Sequence, residues 1–179
     1  VQLAERGVTL ILVPGDDRPD PELSALSTVP AGQAERLWHF LRQGGRHNAL
    51  QLYRCLAGQW LGRDYAWDEP QILPRSAIYH PAHSSPALKD WQADWQPGQP
   101  VAALLFYRSH LQAANTAFVD VFCQRLQAAG LNPLPIAVAS LKEPGCLTMV
   151  QDLLDEVEAG VILNTTGFAQ SSPEAPHLR

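Results

Sequence analysis

Lysine is nearly absent from this sequence. Two are present in 179 residues, Lys89 and Lys142. The net charge is −5 and the pI is near 5.6. A phosphate backbone calls for a basic face, so a nucleic-acid partner is not expected. No apolar run approaches the ~20 residues that cross a bilayer, and no stretch reads as a signal peptide, so no membrane partner is expected either. The three cysteines, Cys55, Cys123 and Cys146, are odd in number, widely spaced and form no CxxC pair. This argues against a disulfide framework and a structural zinc site, and a reducing cytoplasm is the expected compartment. Asn164-Thr165-Thr166 matches a glycosylation sequon, read as chance without a secretory context. Glycine-rich phosphate loops are also missing: neither GxGxxG nor GxxxxGK[ST] occurs, which argues against nucleotide binding on this chain. There is no GxSxG elbow for a hydrolase.

What is present is an ordinary globular composition, 46% hydrophobic and 17% charged. VTLILV (8–13) is a β-branched apolar run that predicts a buried strand. Two amphipathic helices are predicted next. The first covers 31–45, with apolar spacing at Ala34, Leu37, Trp38 and Leu41. The second covers 48–62, with Asn48 as N-cap and Gly62 beyond its end. Residues 63–100 are dense in proline (Pro70, Pro74, Pro81, Pro86, Pro97, Pro100) and hold Trp67, Trp91 and Trp95. Proline excludes long regular structure. The segment therefore reads as a connector laid over apolar surface by its tryptophans, with a short strand over 76–80.

The rest alternates. AALLFY (102–107), LPIAVA (134–139) and VILN (161–164) predict strands, and 115–130 and 144–160 predict helices. Strand–helix–strand–helix–strand implies parallel strands joined by right-handed crossovers. The expected fold is three-layer α/β, with a mostly parallel, Rossmann-like sheet flanked by helices. Its expected division is an N-terminal α/β segment over 1–75, incomplete at its start, and a parallel βαβαβ unit over 76–179.

In such a sheet ligands bind beyond the carboxyl ends of the strands. Those ends carry Tyr107, Arg108, Ser109 and His110, then Ser140, Leu141 and Lys142, then Asn164, Thr165, Thr166, Gly167 and Phe168. Arg108 can fork onto a carboxylate or form a surface ion pair. As a ligand clamp, its loss would weaken binding and leave stability nearly unchanged. Asn115 and Thr116 read as a helix cap that leaves N–H groups beside an anion. His80 and His83 form HPAH, but Pro81 argues against a helix that would aim both at one metal, and no metal site is expected. His39 reads as structural, and Asp16-Asp17 as a solvated turn.

LFYRSHLQAANTAFVD, LQAAGLNPLPIAVASLK and ILNTTGF, with LVPGDDRPDPEL, RLWHFLRQGGRHN and IYHP upstream, resemble the large subunit of aerobic cobaltochelatases (CobN-type). That family is related to the large H-type subunit of magnesium chelatase. The resemblance covers nearly the whole chain, which looks like an N-terminal portion of a much longer protein. It implies insertion of Co2+, as substrate, into hydrogenobyrinic acid a,c-diamide in cobalamin biosynthesis. It also implies an AAA+ ATPase subunit and an adaptor subunit as partners, with ATP hydrolysed on the former, and nothing held tightly by this segment alone. Tetrapyrrole contacts are expected at Arg108, Ser109, His110, Asn164 and Thr165, with His80 as an outside candidate. Catalytic residues are not assigned. The alternatives are a stand-alone α/β module for a small anion and a subunit-docking domain working through the proline-tryptophan connector.

Overall fold

The computed structural model describes residues 4–167. The chain forms two compact units. One runs to Leu73 and includes Gln112–Ala114; the other comprises Pro74–Leu111 and the residues from Asn115 on.

In the first unit all regular elements among the described residues are helical. After a 3-10 turn at Ala4–Arg6 come α1 (Pro21–Ala25), α2 (Ala31–Gln43) and α3 (Gly45–Trp60). The strand expected over 8–13 does not form. Among the described residues no strand pairs with this apolar run. Its amides instead donate to hydroxyls, Leu10 N to Thr28 Oγ1 and Leu12 N to Ser27 Oγ, each at 2.8 Å. Ile11 packs against a core of Leu37, Phe40 and Cys55. The buried arc of α2 passes through Ala34, Leu37 and Trp38 as the spacing suggested, and takes Phe40 in place of Leu41, which is 54% exposed.

Gly44 ends α2 at φ 64, and a Cβ there would lie 2.5 Å from the Gln112 carbonyl oxygen, so the turn requires glycine. α3 begins directly behind it. Asn48 is therefore not an N-cap; it lies inside the helix and is buried. Its carboxamide donates to Gly44 O and Gln71 O and accepts from Gln71 N. Gln51 and Gln43 make similar bonds to Asp68 and to Leu73 N. Three buried amides thus stand in for a neighbouring strand along the extended chain 68–73, satisfying backbone groups that burial would otherwise leave unpaired. Trp67 packs against the same core, edge-on to Phe40.

The second unit is the expected α/β layer structure. It contains β1 (Ser76–Ile78), α4 (Leu88–Gln92), β2 (Val101–Tyr107), α5 (Ser109–Gln112, ending across the unit boundary), α6 (Ala117–Ala128), β3 (Asn132–Val138), α7 (Pro144–Glu156) and β4 (Val161–Asn164). The sheet order is β1-β3-β2-β4. β2 pairs parallel with β3 and with β4, and β1 runs antiparallel on the outside of β3. From β2 the chain moves one way to β3, then back across β2 to β4. Right-handed crossovers in opposite directions put α6 and α7 on opposite faces. Leu104, Phe106, Leu134, Ile136, Val119 and Val150 form the core.

β3 starts two residues earlier than the pattern implied and takes in Pro133 and Pro135. Even-numbered residues of β3 face β2, as shown by Asn132 N donating to Pro100 O and Val138 O accepting from Arg108 N. The missing N–H groups of Pro133 and Pro135 therefore face the other side, past the end of β1 at Ile78, where Tyr79 N still donates to Pro135 O at 2.9 Å and Tyr79 O accepts from Trp91 instead. A central strand accepts proline where no neighbouring carbonyl needs its N–H. The connector is anchored by its own tryptophans: Trp91 Nε1 donates to Tyr79 O at 2.6 Å, and Trp95 Nε1 to Pro133 O at 2.9 Å.

Candidate ligand-binding rim

The carboxyl ends of β2, β3 and β4 share one edge of the sheet. At β2 and β3, adjacent strands send their connections to opposite faces, the topology that opens a crevice in folds of this kind. Here that crevice is roofed by the chain entering β1. Ala139 N donates to Arg75 O at 2.8 Å. Arg108, 8% exposed, sends Nε to Pro74 O at 2.7 Å. Arg75 pairs with Glu143 at the start of α7 through both guanidinium Nε (3.0 Å, to Oε2) and Nη2 (to Oε1). The Arg75 hydrogen bonds, then its charge and that of Arg108, hold the Glu143 carboxyl below its usual range. Arg108 is thus a buried positioning residue turned toward the β1 side, rather than a guanidinium offered to solvent.

On the other side of β2 the rim is open. Thr165 donates both N–H and Oγ1 to Leu105 O, at 2.9 and 2.8 Å. Asn164 Oδ1 accepts from Thr166 N at 2.9 Å and from Thr166 Oγ1 at 2.7 Å, closing a self-capped turn. Tyr107 at the end of β2 accepts Gly167 N on its hydroxyl at 2.6 Å and fixes where the turn stops. Asn164 and Thr165 remain exposed. Phe168 lies outside the described residues.

Ser109 is exposed at the start of α5. His110 is half-buried, its ring 4.7 Å from Phe118 and 6.4 Å from Phe106, and serves as an aromatic wall. The helix that follows is not capped by Asn115 or Thr116. Thr116 holds the N-cap position without a capping bond, and its hydroxyl lies 3.0 Å from Tyr79 Oη, which donates to Asp120 Oδ1 at 2.7 Å.

His80 is buried against Trp91. Its Nδ1 accepts Ala82 N at 3.1 Å, so Nε2 carries the hydrogen that faces Asp94 Oδ2 at 3.3 Å. Both ring nitrogens serve the loop. Among the described residues no group of three or more His, Cys, Asp or Glu is placed to hold a metal ion, and no helix is long and apolar enough to cross a membrane.

The structure therefore puts Arg108, Ser109, His110, Asn164 and Thr165 on one edge but divides their roles. Arg108 and His110 are packed inward, while Ser109, Asn164 and Thr165 face out. Sequence reasoning missed Pro74, Arg75 and Glu143, which roof the β2–β3 crevice. Arg75 and Glu143 are 68 positions apart, and no local pattern joins them.

The sequence profile of a family described as CobN/Magnesium Chelatase matches residues 38–177. The aerobic cobaltochelatase subunit CobN of Pseudomonas aeruginosa is 69% identical over all 179 residues, and the chain spans 14% of that relative's length. The H-type magnesium-chelatase subunit of Rhodobacter capsulatus is 30% identical over 146 residues, covering 72% of this chain and 12% of the relative. Among solved structures, the catalytic subunit of cobaltochelatase from Mycobacterium tuberculosis superposes with a TM-score of 0.71 at 28% identity, over 92% of this chain and 13% of that one.

Proposed function

The chain belongs to the CobN/magnesium chelatase family, and from that premise we propose that it is one segment of the large subunit of a cobaltochelatase, working in cobalamin biosynthesis in the cytoplasm. The observation that carries this reading is the 69% identity along the full chain to a cobaltochelatase subunit, against 30% over a shorter stretch to a magnesium-chelatase subunit. The substrate is a corrin precursor, hydrogenobyrinic acid a,c-diamide, and cobalt(II) is the cargo. ATP is hydrolysed on an AAA+ partner, with an adaptor subunit completing the assembly. The free, buried state of all three cysteines suits a reducing compartment.

The part played by this segment is to hold the edge of the macrocycle. The ring is apolar and rimmed by carboxylates and amides. The hydroxyls of Ser109 and Thr165 and the carboxamide of Asn164 are the groups of the open rim that can bond such a periphery. Arg108 keeps the roof at Pro74 in place and thereby the end of β2. Metal insertion itself belongs to parts of the subunit outside this chain, and the segment alone is inactive. Docking of partner subunits through the proline-tryptophan connector has less support, because Trp91 and Trp95 spend their indole N–H groups inside the unit.

The test is a tryptophan-fluorescence titration of the large subunit with hydrogenobyrinic acid a,c-diamide. Ser109→Ala should loosen binding about fivefold, the loss of one hydrogen bond, with an unchanged urea midpoint. Unaltered affinity would move the ring to another part of the subunit.

A further inference from the structure

β4 is an edge strand with the composition of an interior one. It consists of Val161, Ile162, Leu163 and Asn164, and Val161 is 37% and Ile162 53% exposed. β3, by contrast, is buried at all seven positions. Strands of parallel sheets are apolar on both faces because helices cover both. Edges that remain in water are usually protected by charge, proline or shortness. The opposite edge of this sheet has that protection: β1 is three residues long and follows Pro74-Arg75. β4 has neither charge nor proline.

Its backbone is open on one side as well. Thr165 N donates to Leu105 O at 2.9 Å, and Val161 and Leu163 stand opposite Ala102 and Leu104, which fixes the side of β4 that faces β2. Alternation along the strand turns the N–H and C=O groups of Ile162 and Asn164 to the outer side. The relatives point to what covers them. This chain is 14% of the Pseudomonas relative and 13% of the Mycobacterium chain. Most of such a polypeptide lies elsewhere, and a covalently attached segment reaches this edge at a high effective concentration.

We infer that in the large subunit the outer edge of β4 is paired by a further strand from another part of the same polypeptide, which with the chain flanking it covers the exposed Val161 and Ile162 on the two faces of the sheet. This rests on the reading of the chain as one segment of a longer subunit. The test is amide hydrogen exchange on the full polypeptide that carries this sequence, resolved to single amides by mass spectrometry. The amides of Ile162 and Asn164 should be protected about 100-fold or more over an unstructured chain, at every protein concentration. Ile162→Pro, which removes only an outward N–H, should destabilise the sheet as a central-strand proline does; a free edge tolerates it. Exchange at the unstructured rate overturns the inference. So does protection that disappears on dilution, since a second copy is then the occupant. The intact mass of the native polypeptide tests the underlying reading separately. A 19.7 kDa species ends both, whereas a larger species with unprotected β4 amides ends the inference alone.

Discussion

The Nε of Arg108 donates to the carbonyl oxygen of Pro74 at 2.7 Å, so the residue that follows β2 ties down the chain entering β1. A hydrogen bond from a charged group contributes about 1.5–3 kcal/mol, and its loss leaves a carbonyl without its donor. Arg108→Ala should therefore cost about 2–3 kcal/mol of stability, read as a lower urea midpoint with an unchanged slope. Arg108→Lys should recover only part of it, since a lysine lacks the planar fork. A stable Arg108→Ala protein with weakened ring binding would restore the arginine to a direct ligand role.

Asn132 at the start of β3 fastens the connector. Its Oδ1 accepts Gln96 N at 2.8 Å, and its Nδ2 donates to Gln96 O and Gln99 O, each at 3.0 Å. Asn132→Ala should lower stability by about 2–3 kcal/mol, as expected for several buried groups losing their partner at once. Trp95 emission should shift to the red as the connector loosens. A shift below about 0.5 kcal/mol, typical of a surface change, would show that water replaces the carboxamide at no cost.

Alkaline pH should destabilise the second unit. Burial, then the Asp120 hydrogen bond and charge, raises Tyr79 from 10.0 to about 12 against a smaller opposing contribution from Thr116. Burial, then the Asp120 charge, raises Cys123 from 9.0 to about 12. The folded state keeps these protons where the unfolded chain has lost them, so unfolding releases protons and stability falls as pH rises. The loss should begin near the ordinary thiol value of 9.0, steepen from 10.0 and end near 12. Tyr79→Phe should remove the tyrosine's share of the loss above 10.0 and leave that of Cys123. An ultraviolet titration with every tyrosine ionising at the ordinary value would contradict this.

A Cβ on Gly167 would lie 2.6 Å from the Tyr107 hydroxyl. Gly167→Ala should push the phenol outward and break its bond to the Gly167 amide, at a cost of about 1 kcal/mol. Tyr107→Phe should cost a similar amount, and the double variant little more than either single one, because the same bond is lost in all three. Additive costs in denaturant titrations would mean that the tyrosine and the turn are independent.

The sheet was legible because a parallel strand between two helical layers must be apolar at nearly every position, and VAALLFY and the apolar part of β3 are. The helices over 31–43, 117–128 and 144–156 were legible from their apolar periodicity. The apolar run over 8–13 misled for a related reason: an extended apolar segment looks the same whether its amides meet another strand or the hydroxyls of Ser27 and Thr28.

Local patterns of apolar spacing, turn residues and proline were enough to determine a layered α/β chain whose strand ends carry polar loops, since those patterns act over a few neighbours. Only the folded arrangement decided which polar residues stay available. Arg108 meets a carbonyl 34 positions earlier, and Arg75 a carboxylate 68 positions later. Such partners are set by the β1-β3-β2-β4 order, a product of packing among distant segments that no short stretch of sequence contains.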